Sequence, residues 1–238
     1  MTTAVLEFAG TSKDYRGLRP LRIERLTVAA GEQIAILGFD QVSAEVFINL
    51  ATGATLPDAG EISVFGRRTS AIADSADWLA TVDHFGIVSE RAVLLDQLTV
   101  VQNLAMPFTL EIEPPPDDIR QRAERLAAEV GLPSSAWTRP VAELDAAARA
   151  RVRLGRALAL DPAVLLLEHV SAGLDRNDVA KLGADMRATA ARRSVAIVAA
   201  TADESFARAV ASRVLTLEPA TGRLRERKGL GWFGGRLG

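Results

Sequence analysis

Residues 34–45 have the sequence IAILGFDQVSAE, and this stretch decides the fold. Four apolar residues run into Gly38, as a buried parallel strand runs into a tight turn. The next five residues, 46–50 (VFINL), are mostly apolar and predict a helix. The sequence therefore predicts a strand, a turn and a helix in immediate succession.

The same succession frames a phosphate-binding loop of the pattern G-x-x-x-x-G-K-[ST], whose glycines let backbone amides surround phosphate oxygens. Gly38 occupies the first glycine position. Ser43 replaces the second glycine, Ala44 the lysine, and Glu45 the Ser/Thr that holds magnesium. This stretch alone leaves two interpretations equally open. It is an ordinary strand–turn–helix, or a phosphate loop that has lost its phosphate-binding residues.

Composition excludes several functional classes. A chain of 238 residues can form one large α/β domain, or a domain with a subdomain. The absence of cysteine excludes disulfides, thiolate metal sites and a cysteine nucleophile, and two distant histidines, His84 and His169, exclude a histidine-rich metal site. The net charge of -2 gives no reason to expect nucleic acid. No secretory signal or apolar run of ~20 residues is visible, so we expect a cytoplasmic protein.

Hydrophobic patterning predicts the main elements. Residues 4–8 and 21–28 alternate apolar and polar side chains, which favours half-buried antiparallel strands. Residues 164–167 and 195–199 are continuous apolar runs, typical of strands buried on both faces. The other expected strands are 61–65, 85–88 and 213–217, and the expected helices are 71–81 (with Ile72, Trp78 and Leu79 buried), 119–130, 142–160, 178–193 and 204–211. Strands alternating with helices predict a mainly parallel α/β sheet.

Two segments interrupt that pattern. Three prolines at positions 114–116 predict a stiff break, and Asp117 with Asp118 is expected to cap the helix that follows, within a helical insert. Residues 222–238 carry five cationic residues against one glutamate, a net charge of +4, together with Trp232 and Phe233. We expect this end to be a tail rather than part of the core.

Three stretches carry a resemblance to a known family. They are residues 151–175 (RVRLGRALALDPAVLLLEHVSAGLD), 56–66 (LPDAGEISVFG) and 98–107 (LTVVQNLAMP). In this order, over roughly residues 4–218, the chain resembles the nucleotide-binding subunit of ATP-binding cassette (ABC) transporters, in which RV-x-x-A-R-A-L, D-P and LLLDEP-x-x-G-L-D are expected. The resemblance implies a P-loop NTPase-type ABC ATPase fold with a parallel sheet core, an antiparallel β edge and a helical subdomain. Its implied divisions are a core of residues 1–91 and 155–221, a helical signature subdomain of 92–154, and the basic tail 222–238.

The resemblance also assigns a role to each position of the nucleotide site. The aromatic residue that stacks on adenine corresponds to Tyr15, which could equally be a turn aromatic that covers the sheet edge. The phosphate-binding lysine corresponds to Ala44, the magnesium hydroxyl to Glu45, and the glutamine between the two lobes to Glu90. The remaining positions are the signature L-S-G-G-[QE] at Leu144, Asp145, Ala146, Ala147 and Ala148, the metal-binding aspartate at Glu168, the catalytic glutamate at His169, the switch histidine at Ala202, and the aspartate of the loop after that strand, which is kept as Asp175.

These replacements argue against nucleotide chemistry. Glu45 and Asp145 place anions where a polyanion would bind, and like charges about 4 Å apart repel by ~4 kcal/mol at an effective dielectric near 20. Hydrolysis in this class depends on positioned phosphates and electrostatic stabilisation. We therefore expect no catalytic residue, no metal and no cofactor, with ATP and Mg²⁺ bound only if the chain is an active ATPase after all.

Three functional hypotheses remain. The first is a catalytically inactive ABC subunit, peripheral on the inner face of the cell membrane, that docks on a transmembrane permease or dimerises with a homologous, active ABC ATPase. The second is an active ATPase in which Arg149 or Arg151 replaces the lysine and His169 acts as the base. The third is a soluble regulator. In each, residues 222–238 are either a solvated end or a contact with an anionic membrane surface or an acidic groove.

Overall fold

The computed structural model describes residues 4–226, which form ten β-strands and seven α-helices. The strands are β1 Ala4–Lys13, β2 Leu21–Ala29, β3 Gln33–Leu37, β4 Ala59–Val64, β5 Arg67–Arg68, β6 Phe85–Val88, β7 Val164–Glu168, β8 Ala196–Thr201, β9 Arg213–Glu218 and β10 Arg223–Glu226. The helices are α1 Gln41–Ala51, α2 Ser75–Val82, α3 Val100–Ala105, α4 Asp117–Glu129, α5 Ala146–Leu158, α6 Arg176–Arg192 and α7 Glu204–Val210.

The strands form two sheets. The larger has the order β10-β9-β3-β8-β7-β6, in which β9 to β6 are parallel and β10 is antiparallel to β9. The smaller sheet, β2-β1-β4-β5, is antiparallel, with Leu6 opposite Val28. The predicted α/β fold, with a mainly parallel sheet and an antiparallel β edge, is confirmed.

The larger sheet separates two hydrophobic cores because successive side chains of its strands point to opposite faces. Leu165, Leu167 and Ile197 face a core that includes residues of α3 to α7. Leu166 and Val198 face a core built with α1 and the antiparallel sheet, where the rings of two phenylalanines, Phe8 and Phe47, stack 5.2 Å apart. Strands β3, β7 and β8 are buried throughout, which explains their continuous apolar sequences.

Helices α3, α4 and α5 form the predicted helical insert between β6 and β7. They pack on one another, and α5 also lies directly against β6. That approach requires a glycine, because a Cβ at Gly86 would lie 2.4 Å from the carbonyl oxygen of Ala157. The domain boundaries on either side of residues 92–154 stay a prediction.

The prediction for α2 is partly wrong. The helix begins at Ser75 rather than at residue 71, because Asp74 accepts the amide hydrogen of Asp77 at 2.9 Å and fixes the start there. Leu79, predicted to be buried, is 54% exposed. Trp78 donates from Nε1 to the carbonyl oxygen of Thr52 at 3.2 Å, so α2 lies on the surface beside the end of α1.

The starts of α4, α5 and α6 also differ from the prediction, although α6 begins only two residues early, at Arg176. Helix α4 begins at Asp117, and its N-cap, Pro116, makes no side-chain hydrogen bond. The acidic side chains of Asp117 and Asp118 therefore lie in the first turn. Their negative charges stabilise the positive end of the helix dipole there without capping the helix. Helix α5 begins at Ala146 instead of residue 142, because Asp145 caps it and residues 141–143 form a separate 3-10 turn.

The predicted tail is wrong at its beginning. Arg223–Glu226 forms β10, because Gly222 reverses the chain with a φ of +76° and donates to the carbonyl oxygen of Glu218 at 2.8 Å. Arg223 pairs with Glu24, and Arg225 pairs with Glu218. Two of the five cations are thus neutralised within the fold, and residues 227–238 lie outside the described part.

Within residues 4–226, the helices are all too short or too polar to cross a lipid bilayer.

Candidate functional site

The turn between β3 and α1 contains only Gly38, Phe39 and Asp40. Gly38 has a φ of +104°, and a Cβ there would lie 3.0 Å from the carbonyl oxygen of Leu217. Only glycine suits this position, as the phosphate-loop pattern requires. Helix α1 nevertheless begins at Gln41, three residues before Ala44, so the segment expected to wrap around a phosphate is already helical.

Asp40 explains this early start. Its carboxylate accepts the backbone amide of Ser43 at 2.7 Å and the Ser43 hydroxyl at 2.6 Å. The amide of Asp40 in turn donates to Ser43 Oγ at 3.0 Å, which completes a reciprocal capping box. An anion that belongs to the chain therefore lies at the positive end of α1, where an external anion would otherwise bind.

The electrostatic surroundings keep Asp40 ionised. Hydrogen bonds from the Ser43 side chain and then from the Ser43 amide hold the pKa of the Asp40 carboxyl below its usual value. The nearby His169 lowers the pKa further, although partial burial opposes these effects. The negative charge at this helix end is thus present throughout the neutral pH range.

Arg91 joins the first turns of α1 to the end of β7. Its Nη2 donates to Glu168 Oε2 at 2.7 Å, its Nε lies 3.2 Å from both Glu168 oxygens, and its Nη1 donates to Glu45 Oε1 at 2.9 Å. Gln41 Nε2 adds a donor 3.3 Å from Glu168 Oε1. The Glu168 side chain is fully buried, so the guanidinium of Arg91 supplies the charge that this carboxylate needs.

His169 follows Glu168 in a left-handed conformation, with a φ of +44°. Its amide donates to the carbonyl oxygen of Ala200 at 3.0 Å, and its side chain lies close enough to Asp40 to lower the pKa of that carboxyl. Its Nε2 atom is buried and has no hydrogen-bond partner within residues 4–226. That nitrogen is therefore not presented to a water molecule in the site.

Tyr15 lies at the edge of the same region. Its ring covers Gly17, where a Cβ would come within 2.5 Å of the ring. With Asp40 and Ser43 it borders a cavity of about 90 Å³, well below the ~300 Å³ at which ligand pockets usually begin. Burial, and then the charge of Asp40, raise the pKa of the Tyr15 hydroxyl.

The structure brings together only some of the predicted site residues. Gly38, Ser43 and Glu45 lie with Glu168 around Arg91 and Asp40, and Ala202 follows Thr201, which pairs with Leu37. Ala44 is fully buried beneath them. Glu90 is exposed and acts electrostatically on Arg153 of α5, so Arg91 rather than Glu90 reaches the site.

The signature positions form a separate group at the start of α5. Asp145 is exposed, and its carboxylate accepts the amide of Ala148 at 2.7 Å. Leu144 precedes it, Ala146 and Ala147 begin the helix, and Asp175 occupies the N-cap of α6 without a side-chain cap bond. Within the described chain, 4–226, no hydrogen bond or ion pair joins these residues to Asp40.

Sequence reasoning missed three residues of the site: Asp40, Gln41 and Arg91. Asp40 carried a signal, because an aspartate three residues before a serine is a capping pattern at a helix start. Arg91 carried a weaker one. A glutamate that ends an apolar strand requires a cation, but the sequence does not indicate which of the arginines supplies it.

Comparison with known proteins identifies the family. The family model for ABC transporters matches residues 21–171. The lipoprotein-releasing system ATP-binding protein LolD of Chromohalobacter salexigens is 30% identical over 226 residues, which are 93% of each protein. The chain belongs to the ABC transporter family. This family member is also 30% identical to the methionine import ATP-binding protein MetN of Leifsonia xyli, over 90% of its own length and 63% of MetN.

Solved structures agree on the fold. CbiO1 from Clostridium perfringens, part of the ABC transporter complex cbiONQ, superimposes with a TM-score of 0.79 at 22% identity, covering 94% of this ABC family member and 87% of CbiO1. The dimeric ATP-binding cassette MJ0796 bound to ADP and Pi has a TM-score of 0.74 at 20% identity, with 94% and 100% covered. The expected ABC ATPase fold is confirmed, and the roles of individual residues stay predictions.

Proposed function

We propose that this ABC transporter family member is a non-catalytic subunit that docks on a transmembrane permease and pairs with a homologous cassette. The observation that carries the proposal is the Asp40 carboxylate on the Ser43 amide at the N-terminus of α1. In a working phosphate loop the amides at this helix end bind phosphate oxygens. Here a carboxylate of the chain already accepts from one of them.

A nucleotide phosphate would meet this carboxylate directly. Like charges about 4 Å apart repel by ~4 kcal/mol at an effective dielectric of 20, although solvent screening lowers that figure at an exposed residue such as Asp40. Displacing Asp40 instead would cost the cap of α1, about 1.5 kcal/mol. Either route weakens phosphate binding by one to three orders of magnitude.

Mg-ATP, which the fold family implies, does not fit the residues present. Ala44 provides no positive charge for the phosphates. Both Glu45 and Glu168 already bind the guanidinium of Arg91. No cluster of three or more acidic, histidine or cysteine side chains suited to a metal ion occurs anywhere in the described chain, 4–226. We therefore assign no catalytic step to this site.

The alternative, an active ATPase with displaced groups, has less support. Arg149 pairs with Asp96 at 2.9 Å, and Arg151 donates to the carbonyl oxygen of Val130 at 2.7 Å, so both candidate replacements for the lysine are held elsewhere on α5. The remaining candidate base, His169, keeps Nε2 buried. Activity would require all three side chains to move.

Dimerisation would not restore a site. In the family as implied by the resemblance, each nucleotide lies between the phosphate loop of one subunit and the signature of the other. Asp40 changes the first of these surfaces, and Asp145 places a carboxylate on the second. A homodimer of this chain would have two impaired sites, and so would a heterodimer with an intact cassette. The chain is therefore a partner that organises a transporter rather than one that powers it.

A groove beside β6 is the surface we assign to the permease. It has a volume of about 420 Å³ and lies between β6, α5 and residues 106–107. Arg153 and Arg156 line it, and burial lowers the pKa of both guanidinium groups. They donate to the backbone carbonyls of Ala92 and Val93. Within residues 4–226, Glu90 and Asp96 act electrostatically on Arg153, whereas Arg156 is bound to a carbonyl oxygen and pairs with no carboxylate. A half-buried cation of this kind favours an acidic segment as the occupant, so we propose that the permease presents a carboxylate to Arg156.

The proposed docking indicates where the subunit is located but not which substrate is transported. Docking on a permease would place the subunit at the inner face of the membrane. Contact of residues 227–238 with an anionic surface stays a proposal, with Arg227, Lys228 and Arg236 as its remaining cations. The relatives are named for different cargoes, lipoproteins and methionine, so no transported substrate is carried over.

The test is purification of the tagged subunit from membranes of the source organism, followed by assays of phosphate release. We expect a membrane-spanning subunit to co-purify, and the double variant Arg153→Glu/Arg156→Glu to lose it while the surface control Arg176→Glu retains it. We expect the chain alone to release no phosphate from ATP. Hydrolysis by the chain alone that disappears in His169→Ala would establish the active ATPase instead. Failure to co-purify any membrane subunit would favour the soluble regulator.

A further inference from the structure

The connecting segment, residues 89–99, joins β6 to α3 and is held from two sides. On one side Arg91 reaches Glu168 at the end of β7 and Glu45 in α1. On the other side α5 holds it, through Arg149 on Asp96 at 2.9 Å and Arg156 on the carbonyl oxygen of Val93 at 2.7 Å. The segment therefore links the larger sheet to the helical insert.

The contacts of Arg91 match those of a bound cation. Two carboxylates, one fully buried and one 43% exposed, converge on its guanidinium with contacts of 2.7 to 3.2 Å. Carboxylate and amide oxygens are the ligands that Mg²⁺, Mn²⁺ and Ca²⁺ prefer. Glu45 and Glu168 would present such oxygens to an ion if the guanidinium were absent, while Gln41 donates from its amide nitrogen to Glu168.

A fixed cation differs from a metal ion in what it connects. A metal ion and its nucleotide bind and dissociate, whereas Arg91 is part of the chain. Its ion pairs therefore hold the connecting segment against Glu45 and Glu168. Arg91 itself is 40% exposed, while its carboxylate partner Glu168 has no exposed side-chain surface. A buried carboxylate left without its cation is strongly unfavourable, so this contact persists in the absence of any ligand.

We propose that Arg91 is a tethered cation that takes the place of a divalent metal ion between Glu45 and Glu168 and locks the connecting segment to the sheet. This attachment keeps the helical insert, and with it the groove beside β6, in one arrangement whether or not nucleotide is present. This inference rests on the proposed function for its biological meaning. Its test uses metal ions without nucleotide, so this inference and the proposed function can be refuted independently.

The experiment compares wild type with Arg91→Met, which removes the charge and keeps the apolar stem. Binding of Mn²⁺ is measured by electron paramagnetic resonance, and unfolding by thermal melting with and without Mn²⁺. We expect Arg91→Met to melt at a lower temperature than wild type, to bind Mn²⁺ at least tenfold more tightly, and to regain part of its melting temperature when Mn²⁺ is added. Hydrogen exchange of the amides in residues 89–99 should increase in Arg91→Met and decrease again with Mn²⁺.

Two further variants serve as controls. Arg91→Met/Glu168→Gln removes both members of the buried pair, so it should melt above Arg91→Met and lose the added Mn²⁺ binding. Arg120→Met removes another arginine that bridges two carboxylates, Asp117 and Glu124, with a similarly exposed side chain (43%), and should change neither Mn²⁺ binding nor exchange in residues 89–99. Equal Mn²⁺ binding by wild type and Arg91→Met would overturn the proposal. So would unchanged exchange in the connecting segment.

Discussion

Helices α1 and α5, at whose starts the resemblance to the ABC family predicts phosphate contacts, are both capped by an aspartate. At α1, the carboxylate of Asp40 accepts the amide of Ser43 at 2.7 Å, and at α5 the carboxylate of Asp145 accepts the amide of Ala148, also at 2.7 Å. Only the first cap is reciprocated, because Ser43 Oγ accepts the amide of its capping residue. The first lies beside the pairs that Arg91 forms with Glu45 and the buried Glu168, whereas the second lies beside the exposed pair of Arg139 with Glu143.

At α5 the aspartate changes only the charge of the surface, whereas at α1 the aspartate is part of a rearranged site. At α5, a substitution of Asp145 alone would return a neutral helix start. At α1, the cap, the helix start at Gln41 and the pairing of Arg91 with Glu168 support one another. We therefore expect substitutions at α1 to have larger and more strongly coupled effects than substitutions at α5.

The largest expected effect comes from rebuilding the phosphate loop at α1. In the quadruple variant Asp40→Ser/Ser43→Gly/Ala44→Lys/Glu45→Thr, the anions are removed and a lysine is added. We expect ATP binding at least a hundredfold tighter than wild type, measured by calorimetry, while turnover stays near background because the metal, base and signature positions remain altered. The matched triple variant that keeps Asp40 should gain far less. If the triple variant binds ATP as tightly as the quadruple variant, Asp40 does not weaken ATP binding.

The second prediction concerns the network beside α1. Arg91→Met leaves the buried carboxylate of Glu168 without its cation and should lower the free energy of unfolding by about 3 kcal/mol. The matched surface substitution Arg120→Met should lower it much less, because solvent screens exposed ion pairs. Urea denaturation of both variants measures the difference, and equal losses would show that burial of Glu168 does not matter.

The third prediction concerns the cap of α1. Asp40→Ala should lower the free energy of unfolding by about 1.5 kcal/mol, near the upper end for a helix cap, because the hydrogen bonds from the amide and the hydroxyl of Ser43 to the carboxylate are both lost. Ser43→Ala, which removes only the reciprocal hydroxyl, serves as the partial control and should cost less. A loss in Ser43→Ala as large as that in Asp40→Ala would assign the stability to the serine.

Sequence reasoning succeeded where local pattern decides structure and failed where the fold brings distant residues together. The continuous apolar runs of β3, β7 and β8 identified the buried strands, since only a strand covered on both faces has that composition. The Arg91–Glu168 pair joins residues 77 positions apart, and no local pattern specifies it. Strand β10 was missed because the cationic composition of residues 222–238 predicted a tail, and its pairing with β9 is a contact that this composition does not specify.

The fourth prediction concerns the cap of α5. Asp145→Ala should lower the free energy of unfolding by about 0.7 kcal/mol, because this exposed cap makes one hydrogen bond. Asp145→Ser, which retains a capping oxygen without the charge, should restore most of that loss. A loss that exceeds the one in Asp40→Ala would reverse the proposed ranking of the two helix starts.

The smallest expected effect is a pH dependence at α1. Because folding lowers the pKa of Asp40, its charge stabilises the protein above the pKa of the unfolded state, about 3.9, and this contribution is lost as pH falls through the folded-state pKa. Asp40→Asn keeps the cap but not the charge, so it should be about 0.5 kcal/mol less stable than wild type at pH 7. That difference should shrink when urea denaturation is repeated towards pH 3, and a difference that grows would contradict the assignment.

Calorimetric titration of the wild-type chain with Mg-ATP tests the central claim most directly. With Asp40 on the helix amide and Arg91 on both carboxylates, we expect no saturable heat at a dissociation constant below about 1 mM, a binding free energy near -4 kcal/mol. The variant Tyr15→Ala should give the same trace as wild type. A micromolar dissociation constant that is lost in Tyr15→Ala would contradict the account, because it would place a nucleotide in the site that these side chains fill.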